Sequence, residues 1–279
     1  MSVRFFKVQS VGNHFALAEL RSFASDADLV RFAIDSGRRR FGVGTDGLLG
    51  VALEDGFLRV RMFNTDGTED FCGNGIRCAV HWAYLQGWIG ERAIVRHLGR
   101  EVPVEVDPST GAIRTLLGRA LFDPSSVPLK NGQGEMFESP LTVAGTRLSA
   151  SCLSTGTAHT VLFVDNLPDD ATFFELSPQI ETHEMFPERT SVMWTQVVSD
   201  RRLKLRIWER GVGETWGCGS GSMAAAAVYL RKTGLSGSVS VENPGGTLTV
   251  SGNRWDDDLW LEGRAQIVFE ADWLLKVGA

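Results

Sequence analysis

The chain has 279 residues, of which 43% are hydrophobic and 22% charged, with a formal net charge of −6. This is a globular composition, long enough to bury large cores without disulfide or metal staples. It excludes a general nucleic-acid or membrane surface, since both need clustered positive charge. No apolar stretch approaches a membrane span, Met1–Lys7 lacks a signal-peptide core, and the four cysteines show no paired framework. A cytoplasmic protein is expected.

In chain order, strands are expected at Val3–Val8 and Phe15–Leu20, then a helix over Asp26–Ser36 capped by Ser25. Arg38-Arg39-Arg40 closes that helix, where cations complement the helix dipole; the alternative reading is a binding patch. Gly42–Gly47 lacks both a Walker lysine and the third glycine of a dinucleotide fingerprint. Phe57–Phe63 alternates Leu58, Val60 and Met62 with Arg59 and Arg61, the pattern of a half-buried strand. Asn64 and Asp66-Gly67 mark a turn, and Asn64 is either a turn-former or a polar contact for a substrate. A helix over Ile76–Gln86, stopping near Gly87, precedes a strand at Val102–Val106.

Asp123–Pro140 is rich in Pro, Ser, Gly and Asn, and reads either as the crossover between two halves or as a long surface hairpin. His159 follows the loop Gly156-Thr157-Ala158 and opens the apolar strand Thr160–Asp165. A helix is expected over Asp169–Thr182 after Pro168. Strands follow at Val192–Val198 and Leu203–Trp208, the latter alternating Leu203, Leu205 and Ile207 with Lys204 and Arg206. A helix over Ser222–Lys232 stops near Gly234. The closing strands are Leu259–Glu262 and Gln266–Glu270, of which the last is free to return to the first half. Many strands with few helices indicate a mixed α+β protein.

Two segments share one pattern: Cys72-Gly73-Asn74-Gly75 and Cys218-Gly219-Ser220-Gly221, about half the chain apart. Each opens a predicted helix, so each thiol would sit at the positive end of a helix dipole. That environment favours thiolate and can also hold a carboxylate on backbone N–H groups, here those of Gly73 and Asn74, and of Gly219 and Ser220. Glycines let a ligand approach the backbone closely. Zinc is disfavoured, because Cys72 and Cys78 form a lone pair at poor spacing. Cys78 and Cys152 lie among apolar neighbours and read as core residues. Glu209-Arg210 at a strand end offers an acceptor and a forked donor, either for an ammonium and a carboxylate or as a surface ion pair.

Taken with Gly12-Asn13-His14-Phe15, Phe186-Pro187-Glu188-Arg189 and Pro244-Gly245-Gly246, these motifs make the chain resemble the diaminopimelate epimerase family along nearly its whole length. The resemblance implies two pseudo-symmetric α/β domains, each a curled sheet around a central helix, with the active site in the cleft between them. The boundaries assigned are 1–120 plus 266–279 for the first domain and 121–265 for the second. It implies cofactor-independent inversion of an amino-acid α-carbon, most simply LL-diaminopimelate to meso-diaminopimelate, in the supply of lysine and peptidoglycan precursor.

By the same resemblance Cys72 and Cys218 are the acid–base pair, with His159 and Glu209 beside the reacting carbon. Asn13, Asn64, Gly73, Asn74, Arg210, Gly219 and Ser220 would bind the substrate. No cofactor or metal is implied. The partner is a small amino acid, and a homodimer follows by family analogy alone.

The chain departs from the family in three places. Thr157-Ala158 stands where Asn-Pro is usual, Ser191 where Asn is usual, and Gly47 where some members carry Gln. Thr157 and Ser191 would then line a reshaped distal pocket. This keeps a racemase of another amino acid, such as histidine, as the alternative. A thiol-redox or binding protein is the other class, though it would need neither Glu209 and Arg210 nor the paired helix amides.

Overall fold

The alternating segments form strands, and they wrap two mostly apolar helices. A computed structural model describes residues 2–130 and 134–274, and the chain divides into two units, Met1–Leu116 with Glu262–Ala279, and Leu117–Leu261. Among the described residues no helix is long and apolar enough to cross a membrane.

The first unit begins with the antiparallel pair β1 (Ser2–Ser10) and β2 (Asn13–Glu19). Helix α1 (Asp26–Gly37) then crosses to β3 (Gly47–Glu54), which runs parallel to β2 and pairs antiparallel with β4 (Phe57–Asn64). Helix α2 (Gly73–Leu85) leads to β5 (Arg92–His97), parallel to β4 and hairpinned with β6 (Arg100–Val106), followed by β7 (Ile113–Gly118). Ser25 caps α1 by accepting from Asp28 N–H. The arginine run is a correction: Arg38 is the C-cap in extended conformation and Arg39 and Arg40 lie beyond it, so no basic residue occupies the last turn.

The second unit repeats this order. The hairpin β8 (Ser139–Val143) and β9 (Thr146–Ser154) leads into β10 (Ala158–Val164), antiparallel to β9. Helix α3 (Asp170–Glu181), capped by the Asp169 side chain, crosses to β11 (Ser191–Ser199), parallel to β10. β11 pairs with β12 (Arg202–Glu209), which turns into the short β13 (Gly213–Thr215). Helix α4 (Gly219–Thr233) leads to β14 (Gly237–Asn243), parallel to β12 and hairpinned with β15 (Gly246–Gly252), before β16 (Leu259–Gly263). Asp123–Pro140 lies inside this unit, and its Val127 and Met136 are buried in the core. The final strand β17 (Gln266–Leu274) belongs to the first unit and pairs antiparallel with β1.

Each central helix touches strands from both ends of its own unit's strand order. α2 packs on β1, β2, β3, β4, β6 and β17, and α4 on β9, β10, β11, β12, β14 and β15. A helix enclosed in this way is apolar over most of its surface, and a polar side chain on it, such as Arg77 on α2, is hydrogen-bonded inside. The run Met223-Ala224-Ala225-Ala226-Ala227-Val228 is fully buried, its small side chains letting the sheet close in on the backbone. Both helices begin three residues before the expected Ile76 and Ser222, immediately after the cysteines. Glycines of poor helix propensity disguise that first turn in the sequence. α4 ends at Gly234, in the left-handed conformation at φ 70°.

Candidate active site

Cys72 is the N-cap of α2, and its Sγ accepts a hydrogen bond from Gly75 N–H at 3.3 Å. Its own N–H donates to His97 Nε2 at 3.3 Å, while His97 Nδ1 lies 3.0 Å from the Val60 carbonyl. Those contacts put the ring proton on Nδ1 and leave Nε2 as an acceptor. Burial lowers the His97 pKa, which keeps the imidazole neutral. The Phe71 ring stacks on it at 5.0 Å.

Asn13 Oδ1 lies 3.7 Å from Cys72 Sγ and accepts from Asn74 Nδ2 at 3.3 Å. Asn13 Nδ2 donates to Asp46 Oδ2 at 2.8 Å. Arg77 is wholly buried on α2, with Nη2 on Asn74 Oδ1 and Nε 3.2 Å from Ser10 Oγ. Desolvation lowers its pKa to about 10. Gly73 and Asn74 fill the first helical positions, where N–H groups have no intrahelical partner. Asn64 is tied into its turn: Nδ2 donates to Thr68 Oγ1 at 3.1 Å and its N–H to the Thr68 carbonyl.

Cys218 caps α4 in the same way, with Gly221 N–H donating to Sγ at 3.3 Å and Ser220 Oγ at 3.5 Å. Its N–H donates to Asn243 Oδ1 at 3.3 Å, and Ser222 Oγ bridges the Cys218 carbonyl and the same Asn243 oxygen. The thiol is 5% exposed. Burial first, and then the charge of Glu209, push its pKa well above the ordinary thiol value. At Cys218 desolvation opposes the helix dipole and favours the protonated thiol.

In the second unit, His159 on β10 is the register partner of Ser191 on β11. His159 Nε2 lies 3.1 Å from Thr157 Oγ1, and burial followed by the nearby Arg210 charge lowers its pKa to about 3. Ser191 Oγ accepts from Arg210 N–H at 3.1 Å, and Arg210 Nη1 donates to the Glu188 carbonyl. Glu209 Oε1 accepts from Thr215 Oγ1 at 2.5 Å. Thr155 Oγ1 donates to the Ser220 carbonyl at 2.9 Å, tying the β9–β10 turn to the α4 start next to Gly219.

Thr157, His159, Ser191 and Arg210 thus form one cluster, with Glu209 coupled electrostatically to the Cys218 thiol. In the first unit Asn13 and Asn74 gather on Cys72, whereas the Asn64 amide is held at its own turn.

Sequence reasoning missed five supporting residues: His97, Asn243, Asp46, Arg77 and Glu181. Glu181, 6% exposed, accepts from Trp208 Nε1 at 2.7 Å and Gly211 N–H at 2.9 Å, gripping the strand end on both sides of Glu209-Arg210. One signal was available. His97 and Asn243 each follow their cysteine by 25 positions.

A chain that caps two enclosed helices with thiols has close relatives of the same length. The diaminopimelate epimerase of Moorella thermoacetica is 33% identical across 98% of this chain and 100% of its own. This chain belongs to the diaminopimelate epimerase family. The family model for diaminopimelate epimerase matches residues 151–268, the part containing the second thiol. The family's enzyme from Stutzerimonas stutzeri is 35% identical, over 97% of this chain and 98% of its own. In fold, the chain is similar to a phenazine biosynthesis protein of the PhzF family from Bacillus anthracis, with a TM-score of 0.70 at 17% identity over 99% of this chain and 100% of that one. Diaminopimelate epimerase relatives make this chain an isomerase.

Proposed function

We propose that the chain epimerises LL-diaminopimelate to meso-diaminopimelate by exchanging the α-proton between Cys72 and Cys218. The observation that carries this reading is the matched pair of helix-capping thiols in a chain of this family. An α-hydrogen is weakly acidic, so the developing carbanion needs preorganised donors and fixed charges around it. The first-turn N–H groups of Gly73 and Asn74, and of Gly219 and Ser220, are suited to the α-carboxylate.

The second thiol supports one direction of transfer. Burial and the Glu209 charge hold Cys218 as S–H, ready to donate. In that direction Cys72, once it has given up its own proton, takes the α-proton on sulfur and the Cα–H bond electrons remain on carbon. The carbanion takes the proton from Cys218 on the opposite face, leaving a thiolate there, and the reverse reaction exchanges the roles. His159, neutral and buried, and the Glu209 carboxylate would flank the reacting carbon, with Asn13, Asn64 and Arg210 holding the substrate.

A second reading, a racemase of another amino acid, is favoured by one observation. The hydroxyls of Thr157 and Ser191 are engaged within the unit, by His159 and by Arg210 N–H. Incubation in heavy water under reducing conditions tests both readings, with LL-diaminopimelate and a panel of L-amino acids including histidine. Deuterium is expected at the α-carbon of diaminopimelate, and Cys72→Ala or Cys218→Ala should each lower uptake at least about a hundredfold. Labelling of histidine alone would replace the first reading with the second; labelling of no substrate would overturn both.

A further inference from the structure

Four side chains of the first unit form one directed hydrogen-bond chain: Arg77 to Asn74, Asn74 to Asn13, and Asn13 to Asp46. Its two ends fix its direction. A guanidinium has only donors and a carboxylate only acceptors, so Arg77 must meet Asn74 Oδ1 and Asp46 must meet Asn13 Nδ2. Both amide orientations are forced, and Asn13 Oδ1 faces the Cys72 sulfur at 3.7 Å. The Arg77 end is locked inside the protein, with Nε on Ser10. The Asp46 end is half exposed, and the same Asp46 oxygen also accepts from His14 N–H at 3.0 Å.

We infer that Asp46 is a positioning residue for proton transfer at Cys72: together with Asn74 Nδ2 on the amide oxygen, it holds the Asn13 amide so that an oxygen, not an NH2, meets the sulfur. An oxygen accepts from S–H and repels S⁻, whereas an amide NH2 would do the reverse. The network thereby sets how readily Cys72 gives up and regains its proton. This deepens the proposed function and rests on Cys72 being a proton-transfer group. Arg77 and Cys78 are also coupled to this thiol, the neutral His97 holds its backbone N–H, and the His14 ring lies beside Asp46.

The test compares Asp46→Ala with Asp46→Asn. Both remove the charge, but an asparagine oxygen can still accept from Asn13 Nδ2 and from His14 N–H. The rate of Cys72 alkylation by iodoacetamide is followed at fixed pH below the thiol midpoint, in a Cys218→Ala background, with the labelled residue identified by mass spectrometry. Asp46→Ala is expected to alkylate several-fold faster than the parent, as the amide, left on Asn74 alone, is free to swing its oxygen off the sulfur, and Asp46→Asn to stay within about twofold. Equal acceleration in both variants would reduce Asp46 to a distant charge and overturn the inference, as would no acceleration in Asp46→Ala. The readout needs no substrate. Failure of the heavy-water experiment would remove the proposed function and leave this comparison standing.

Discussion

His97 Nε2 holds the backbone N–H of Cys72 at 3.3 Å, and Asn243 Oδ1 holds that of Cys218 at the same distance. Two different side chains at the ends of β5 and β14 do one job. Each satisfies the N-cap N–H and so fixes the cysteine whose sulfur caps the helix. His97→Asn should therefore be tolerated. His97→Leu leaves a part-buried N–H unmet and should cost about 1–3 kcal/mol in urea unfolding. An equal loss in both variants would show that ring packing on Phe71, not the acceptor, is what matters.

Stability should fall on both sides of neutrality, for opposite reasons. His159 titrates at about 3 when folded against an ordinary 6.5, and His97 is shifted the same way. Between those values the unfolded chain binds more protons, so stability is lost as pH falls from 6.5 toward 3, with a slope approaching about 1.4 kcal/mol per pH unit for His159. His159→Gln should flatten that acid limb in urea titrations at pH 7, 6 and 5.

Cys218, Cys152 and Cys78 are all shifted upward by burial, Cys152 to about 12. Above pH 9 the unfolded thiols ionise while the folded ones keep their protons, so stability drops as pH rises. Cys152→Ala should reduce that alkaline loss by one thiol's share, read from unfolding midpoints at pH 8 and 10.

Glu181 anchors the segment carrying Glu209 and Arg210 through Trp208 Nε1 and Gly211 N–H. Glu181→Leu strands both donors and should cost about 2–4 kcal/mol, with a fall in kcat/KM as Arg210 loses its setting. Glu181→Gln keeps one accepting oxygen and should lose about half as much. Unfolding and steady-state kinetics on both variants check the pair.

Some glycines admit no side chain. A Cβ at Gly47 would lie 2.4 Å from the Phe63 carbonyl oxygen, a backbone atom that cannot step aside. The glutamine that some family members carry there is excluded by this local geometry, and Gly47→Gln should fail to accumulate as folded protein. A Cβ at Gly221 meets the Met193 side chain, its sulfur 2.4 Å away, and the Cys218 Sγ at 3.2 Å. Gly221→Ala should cost about 1–3 kcal/mol, and adding Met193→Val should recover part of it in thermal unfolding.

Alternation of Arg59 and Arg61 with apolar neighbours placed β4, and Lys204 and Arg206 placed β12, because a strand's two faces have a period of two. β14 escaped, although Val239 and Val241 alternate in it, since glycine and serines dilute the pattern. β9 escaped for a related reason: its inner half, Ala150–Ser154, is buried without alternation. Asp123–Pro140 read as loop from composition, yet its sparse apolar residues Val127 and Met136 reach the core.

The paired C-G-x-G segments, the helices they open and the duplication of the chain were all written in local sequence. Spacing and propensity act over a few residues and survive without a fold. Tertiary structure alone decided that Cys218 keeps its proton, that Asp46 and Arg77 face the Cys72 network from opposite ends, and that His97 and Asn243 reach back 25 residues to their cysteines. Desolvation depends on what the rest of the chain packs over a group, and long-range partners depend on strand register, so neither is a property of the residue or its neighbours in sequence.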